Sequence, residues 1–313
     1  MRLIIKKVLT LIITLILISL AAFFAFQIIP GDPATAMLKT EATPERVAAL
    51  REEMGLNDPV IIRYFRWIVR FVQGDMGISY NYGLPVEDLI QDKIIVTTSL
   101  ALLSLLVIII FSLPLGFLMA RYADKLGGKI MKVSNQIVMA IPSFFLGVLI
   151  VLVFGLILKW FIPGEYISHT ESVYGFLKYL LAPAIAIAIP KIAMLIKFLR
   201  DSVIKQKKTD YVRTAYSKGN TESRVLYVHV LKNACISVIT LLGMMIADIM
   251  AGSIVIEQVF NLPGLGRLLV ASIGNRDFPV VQAIIIYIAT IVVIVNFLVD
   301  ILYRWIDPRI RVD

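Results

Sequence analysis

Cysteine is all but missing from this sequence. Cys235 is the single thiol in 313 residues, which excludes an internal disulfide and makes it a small packing residue beside an apolar run. Histidine is nearly as scarce. His169 and His229 lie far apart with no cysteine at ligand spacing, so neither is assigned a metal. A phosphate-binding G-x-x-x-x-G-K-[ST] loop is absent as well. The nearest stretch, Gly127-Gly128-Lys129-Ile130, lacks the leading glycine and the hydroxyl that would hold Mg²⁺, so this chain is not expected to hydrolyse ATP. No nucleophile elbow, HExxH or paired-carboxylate motif appears, which argues against any enzyme activity. Charge is thin too. Only 17% of residues carry one, against about a quarter in soluble domains.

What fills the space is hydrocarbon. Hydrophobic residues make up 59% of the chain and the mean hydropathy is +0.86, values that belong to a membrane protein. The formal charge is +9, yet no basic face with readout residues appears, so nucleic acid is excluded as a partner. Apolar runs long enough to cross the hydrocarbon, about 20 residues each, occur near 8–29, 97–120, 133–161, 177–199, 235–256 and 280–303. The first follows Met1-Arg2-Leu3-Ile4-Ile5-Lys6-Lys7 and exceeds the core of a cleaved signal peptide, so it reads as an uncleaved span. The third is long enough to tilt or to run past the interface. The expected fold is all-α and polytopic: six transmembrane helices with both termini on one side. Positive charge orients it. Eighteen Lys and Arg residues flank the spans on one side (Arg2 and Arg121 among them), and four, Lys159, Lys178, Arg267 and Arg276, lie in short loops on the other. That bias makes the first side cytoplasmic.

Residues 30–96 form a polar insertion between the first two spans, expected outside the cytoplasm. Thr43 is placed to cap a helix with Pro44 at its first position and Gly55 at its stop. A second helix, 60–72, carries Tyr64, Phe65, Trp67 and Phe71 among arginines, which suits a helix lying near lipid headgroups; a small packed outer cap is the other reading. Pro114, Pro142, Pro183 and Pro190 fall within spans, where proline bends a helix. Between the last two spans, Pro263-Gly264-Leu265-Gly266 followed by a short apolar helix predicts a re-entrant or rim element. Asp248 and Lys191 are ionisable groups inside spans. Such groups mark translocation paths or fix helix packing, and for this pair both readings stand.

The longest hydrophilic passage of the second half is 209–233. Locally it reads as two short helices and a turn. Thr209 or Asp210 caps the first, Gly219 takes the left-handed position after it, and Thr221 caps the second. Ala215 and Gly219, four apart, would share a face that another backbone can approach closely.

This passage carries a resemblance. The pattern Asp210-Tyr211-Val212-Arg213-Thr214-Ala215-x3-Gly219-x9-His229-x-Leu231-x-Asn233 is similar to the EAA loop of ABC-importer permeases, in the form found in dipeptide, oligopeptide and nickel importers. Arg213 stands where the generic motif has Glu, and Ser237 where a proline commonly follows. The stretches PGDPA, GLNDPVIIRYFRWI, GDMGISY, GSIVIEQVFNLPGLG and NRDFPVVQ, with the closing Asp307-Pro308-Arg309, resemble the first permease of the same family, so the likeness runs nearly end to end.

The resemblance implies a non-catalytic permease subunit forming the path for peptides or related small solutes, nickel chelates included. It implies a second homologous permease, two cytoplasmic ATPase subunits and an extracytoplasmic binding protein, with ATP and Mg²⁺ held only by the ATPases. The coupling loop, 200–232, would meet the ATPase through Asp210, Tyr211, Arg213, Thr214, Ala215, Lys218, Gly219 and His229. Glu257, Pro263, Gly264, Gly266 and Asp277 would form the outer rim. The layout is then 1–29 for the N-terminus and first span, 30–96 outside, 97–303 the permease core and 304–313 a cytoplasmic tail, in a prokaryotic inner membrane. A channel or ion-driven transporter using Asp248 and Lys191 would need no docking loop and would favour inverted repeats, and none stands out.

Overall fold

The computed structural model describes residues 2–28, 32–38 and 42–306. Among them the regular elements are helices, apart from one isolated bridge between Ile78 and Pro85. The closing motif at 307–309 and part of the PGDPA stretch lie outside the described residues.

The chain divides into two compact units, Met1–Thr97 with Pro263–Ile294, and Thr98–Leu262 with Val295–Asp313. The first contains α1 (Arg2–Ile28), α2 (Pro33–Leu38), α3 (Pro44–Glu53), α4 (Val60–Val72), the opening of α5 (Val86–Arg121), α12 (Leu265–Gly274) and most of α13 (Phe278–Ile306). Its insertion begins as local signals dictate. Thr43 accepts from the Arg46 amide, Pro44 opens α3 and Gly55 sits at φ +63 beyond its end. One face of α4 packs on α1: Tyr64 bonds to Ser19 at 2.8 Å, and Phe23 lies 5.5 Å from both the Tyr64 and the Trp67 rings. Thr97 accepts from the Leu265 amide at 2.9 Å and thereby caps the start of α12, whose own N-cap, Gly264, has no side chain to offer.

The second unit is built on α8 (Val173–Lys207), which packs against α6 (Leu126–Ala140), α7 (Ser143–Ile150) and α11 (Leu231–Val259). Its buried residues include Ala184, Ala186, Ala188 and Ala193, small enough for neighbours to come close. Glycines allow equally close approach at other helix contacts. A Cβ on Gly116 would stand 3.3 Å from the Ile196 Cα, and one on Gly243 would stand 2.7 Å from a Val299 methyl. Asn135 donates across to the Ala193 carbonyl at 2.8 Å, a polar tie of the kind that holds helices together in lipid.

Among the described residues five helices are long and apolar enough to cross a membrane: α1, α5, α8, α11 and α13. The sixth candidate is not the single helix that residues 133–161 predict. It is a pair, α6 and α7 with its π-helical continuation Val151–Ile157, bent by 87°. The cause is Pro142, whose ring drives Ile141 out of the helical region to φ −81, ψ 123. Pro114, Pro183 and Pro190, by contrast, sit inside unbroken helices. Of the four prolines, Pro142 alone is followed by a fresh helix start.

Candidate functional site

The polar passage begins where α8 runs past its apolar stretch to Lys207. Thr209 has extended backbone, φ −83 and ψ 156, but does not cap the next helix. Its hydroxyl donates backward to the Gln206 carbonyl at 2.6 Å, closing the end of α8 instead. Asp210 is therefore the first residue of α9 (Asp210–Ser217), where a carboxylate complements the free amides of an opening turn.

The two faces of α9 differ. Val212 and Ala215 are buried, whereas Asp210, Tyr211, Arg213, Thr214, Tyr216, Ser217 and Lys218 are exposed. Arg213 and Asp210 form a weak pair at 3.6 Å with side chains 80% and 96% exposed, so their charge remains available to another chain. Partial desolvation and the nearby Glu222 carboxylate push the Tyr216 phenol up from its ordinary value. Ala215 corrects the expected shared face. Its methyl points into this chain, and its carbonyl accepts from the Asn220 amide group at 2.9 Å. Smallness at 215 serves internal packing of α9, which rests on Val225–Val230.

Gly219 stands at φ +79, and a Cβ built there meets nothing within 4 Å. The residue is demanded by the turn, with open space around it. Thr221 then accepts from the Arg224 amide as predicted. The second short helix, however, does not stop. α10 (Glu222–Arg224) passes through a π-helical segment, Val225–Val230, directly into α11, so position 237 lies inside one continuous helix and does not start a new one. His229 is half-buried in the π segment, and its carbonyl accepts from the Asn233 side chain at 3.2 Å. His169 packs edge-on to Phe176, with centroids 5.9 Å apart.

Inside the apolar region the two ionisable groups meet. The Lys191 ammonium lies 3.6 Å from the Asp248 carboxylate, with the lysine side chain 17% exposed and the aspartate 64%. Asp248 belongs to a stripe on α11, Met244, Asp248, Ala251, Val255 and Gln258, that the described residues leave exposed. A half-exposed carboxylate on such a stripe is costly against lipid, so a polar neighbour or water is its natural surrounding.

The rim residues separate. Glu257 is fully buried in α11. Pro263 and Gly264 precede α12, Gly266 is buried within it, and Asp277 immediately precedes α13. Asp277 is completely buried and anchors a turn of the insertion: it accepts from the Ser79 hydroxyl, the Tyr80 amide at 2.9 Å and the Asn81 amide at 3.3 Å. Neither Ser79 nor Thr97 carries a local sequence signal for these roles, because their partners lie far along the chain. A cavity of about 760 Å³ opens in the same unit, lined by Arg51, Arg63, Arg70, Trp67, Tyr80 and Phe278 among others.

Comparison with known proteins adds a family. Residues 112–312 match the model described as binding-protein-dependent transport system inner membrane component, and residues 1–101 match its N-terminal companion. A putative peptide transport system permease protein of Brucella abortus is 36% identical over 99% of both chains. The oligopeptide transport system permease protein of Bacillus subtilis is 36% identical over 98% of each chain. A glutathione transport system permease protein of Escherichia coli O6:H1 is 34% identical, again over 98% of each.

Proposed function

Because this chain belongs to the family of binding-protein-dependent transport system inner membrane components, a non-catalytic permease subunit of an ABC importer, we propose that it carries peptides or related small solutes. Full-length similarity to permeases named for peptides, oligopeptides and glutathione supports that class; metal chelates such as nickel complexes are the alternative that the loop motif leaves open. It is a multi-pass inner-membrane protein that works with ATPase subunits and a substrate-binding protein. The second permease is a distinct homologue, and the path runs between the two chains along the Asp248 stripe. Both termini are cytoplasmic, in line with the lysine and arginine bias, and the rim at 257–279 faces the binding protein.

The observation that carries the coupling role is the geometry of α9. It presents Asp210, Tyr211, Arg213 and Thr214 outward, while Val212 and Ala215 hold it to Val225–Val230 at the root of α11. A push on α9 is thus delivered to the first turns of a helix that runs unbroken to Val259. ATP closes the paired ATPases, α9 moves with them, and the helix carries the displacement to the Asp248 level.

A gentle detergent pull-down of the tagged chain from its native membrane, with Gly219→Trp alongside, tests this reading. A second permease, two ATPases and a binding protein are expected with the unaltered chain. The variant is expected to lose ATPase, because a large residue at φ +79 distorts the turn and obstructs the exposed face. Uptake unchanged by Gly219→Trp would sink the docking assignment, and recovery of the chain alone would sink the complex. The recovered binding protein, screened against peptides and metal chelates, then distinguishes the solute classes.

A further inference from the structure

The insertion between α1 and α5 contains a helix whose height in the membrane can be measured against α1. Lys6 and Lys7 place the start of the apolar stretch of α1 at Val8, and the span ends at Gln27. Residues 8–27 rise about 30 Å, the thickness of the hydrocarbon, so Gln27 marks its edge. The contacts of α4 fall below that edge. Its first two turns rest on Phe23, with Tyr64 and Trp67 each 5.5 Å from that ring, about 6 Å beneath Gln27. The Tyr64 hydroxyl reaches further still, to Ser19.

The faces of α4 agree with this depth. Tyr64, Trp67 and Phe71 form the arc toward α1. Ile61, Phe65, Val69 and Val72 form a second arc, exposed by 65%, 60%, 54% and 80%. A soluble cap would not leave four large apolar residues bare on one helix. Arginines take the third arc: Arg63 donates to Gln27 at 3.2 Å, Arg66 pairs with Asp58 at 2.7 Å, and Arg70 lines the cavity beside them. Arg63 sits next to Tyr64 in sequence yet reaches to the edge residue Gln27 while Tyr64 reaches down to Ser19. Charged heads thus rise toward the interface from a helix that lies deeper.

We propose that α4 is immersed in the hydrocarbon of the leaflet that holds the Gln27 end of α1, with lipid acyl chains packed on Ile61, Phe65, Val69 and Val72. On α1 itself Ile16, Leu17 and Phe24 are also bare. The insertion is then not a wholly aqueous domain. It is hung on a helix that lipid holds in place, and the arginine-lined cavity opens on the opposite, polar side of that helix. The inference rests on α1 crossing the membrane and is independent of the solute.

Cys235 is the chain's single thiol, so within this chain a site-specific probe needs only one background change. In the purified complex bearing Cys235→Ala, bimane is attached at Phe65→Cys, at Val69→Cys and, as an aqueous control on α3, at Glu52→Cys. Signal from the complex with Cys235→Ala alone is subtracted. In nanodiscs, lipids with a doxyl group on the acyl chain are expected to quench positions 65 and 69 several-fold more than aqueous iodide does, with the order reversed at 52. Iodide quenching at 65 and 69 equal to that at 52 would place α4 in water and overturn the proposal. Weak quenching by both agents would mean a covering protein, and would overturn it equally. Two labelled positions on one arc keep the test decisive if either variant fails to assemble.

Discussion

At the scale of single residues, Asp277 does more than its place in a rim motif predicts. A carboxylate with no exposed surface persists only when hydrogen bonds replace its water, and the Ser79 hydroxyl with the Tyr80 and Asn81 amides supply three. Asp277→Asn keeps the shape but turns an amide N–H₂ toward a donor. The expected cost is about 2–4 kcal/mol. It should appear as a lower melting temperature of the purified complex and as faster proteolysis between Asp75 and Tyr82. Unchanged melting and cleavage would show that the turn is held by something else.

Tyr80 offers a pH test in the same place. Burial pushes its phenol up to about 12; Asp277 adds to the rise, while Arg63 opposes it. In the unfolded chain the phenol titrates near 10. Below about pH 10 both states keep the proton, so the contribution to stability is complete and constant. As pH rises from about 10 to about 12 the unfolded chain loses its proton first, and this stability is lost. The unfolding midpoint of the wild type should therefore fall more steeply through that window than that of Tyr80→Phe. Parallel curves would assign the alkaline loss to other groups.

Elements show which local signals survive folding. Thr43 with Pro44, the 60–72 helix and Gly219 were legible because each depends on neighbours within a few residues, and the structure places a cap, a helix and a φ of +79 there. Thr209 was not legible. Its hydroxyl had two acceptable partners, the opening of α9 and the end of α8, and the Gln206 carbonyl wins. Nor was the continuity from Glu222 to Val259, because a polar passage and an apolar run differ in composition but share one helical backbone.

Two adjacent glycines give a test at this scale. Both open α6, but a Cβ on Gly128 would overlap the Tyr122 carbonyl, whereas one on Gly127 meets nothing within 4 Å. Gly128→Ala forces the backbone of the α5–α6 connection to move, at about 3 kcal/mol, and should cut the yield of folded, monodisperse protein. Gly127→Ala should be neutral or stabilising by about 0.5–1 kcal/mol, as expected of alanine replacing glycine in a helix. Equal yields would mean that the connection relaxes freely.

For the whole molecule the informative contact is Lys191 with Asp248. Either residue was legible as an expensive charge in an apolar run, yet their meeting at 3.6 Å depends on α8 packing against α11. Asp248→Asn removes the charge and leaves the lysine without its carboxylate. If the stripe lines the path, uptake should fall by about tenfold or more while the pull-down keeps all partners. Loss of partners, or uptake at the wild-type rate, would return the pair to helix packing alone.

The sequence by itself determined what depends on composition and short range: an all-helical membrane chain with about six apolar stretches, its charge bias, its caps and turns, and, through ordered motifs, its family. These follow because hydrocarbon demands apolar length and because caps and glycine turns are decided within a few residues. Tertiary structure decided what depends on distance. Pro142 announces a break but not an 87° bend, since a local breaker does not say that both α6 and α7 will pack against α8. Segment 263–294 is remote in sequence yet joins the unit of Met1–Thr97, through ties such as Asp277 to Ser79 and Leu265 to Thr97. No local rule names a hydrogen-bond partner some two hundred residues away, because a buried carboxylate accepts whichever donors the packed helices bring to it.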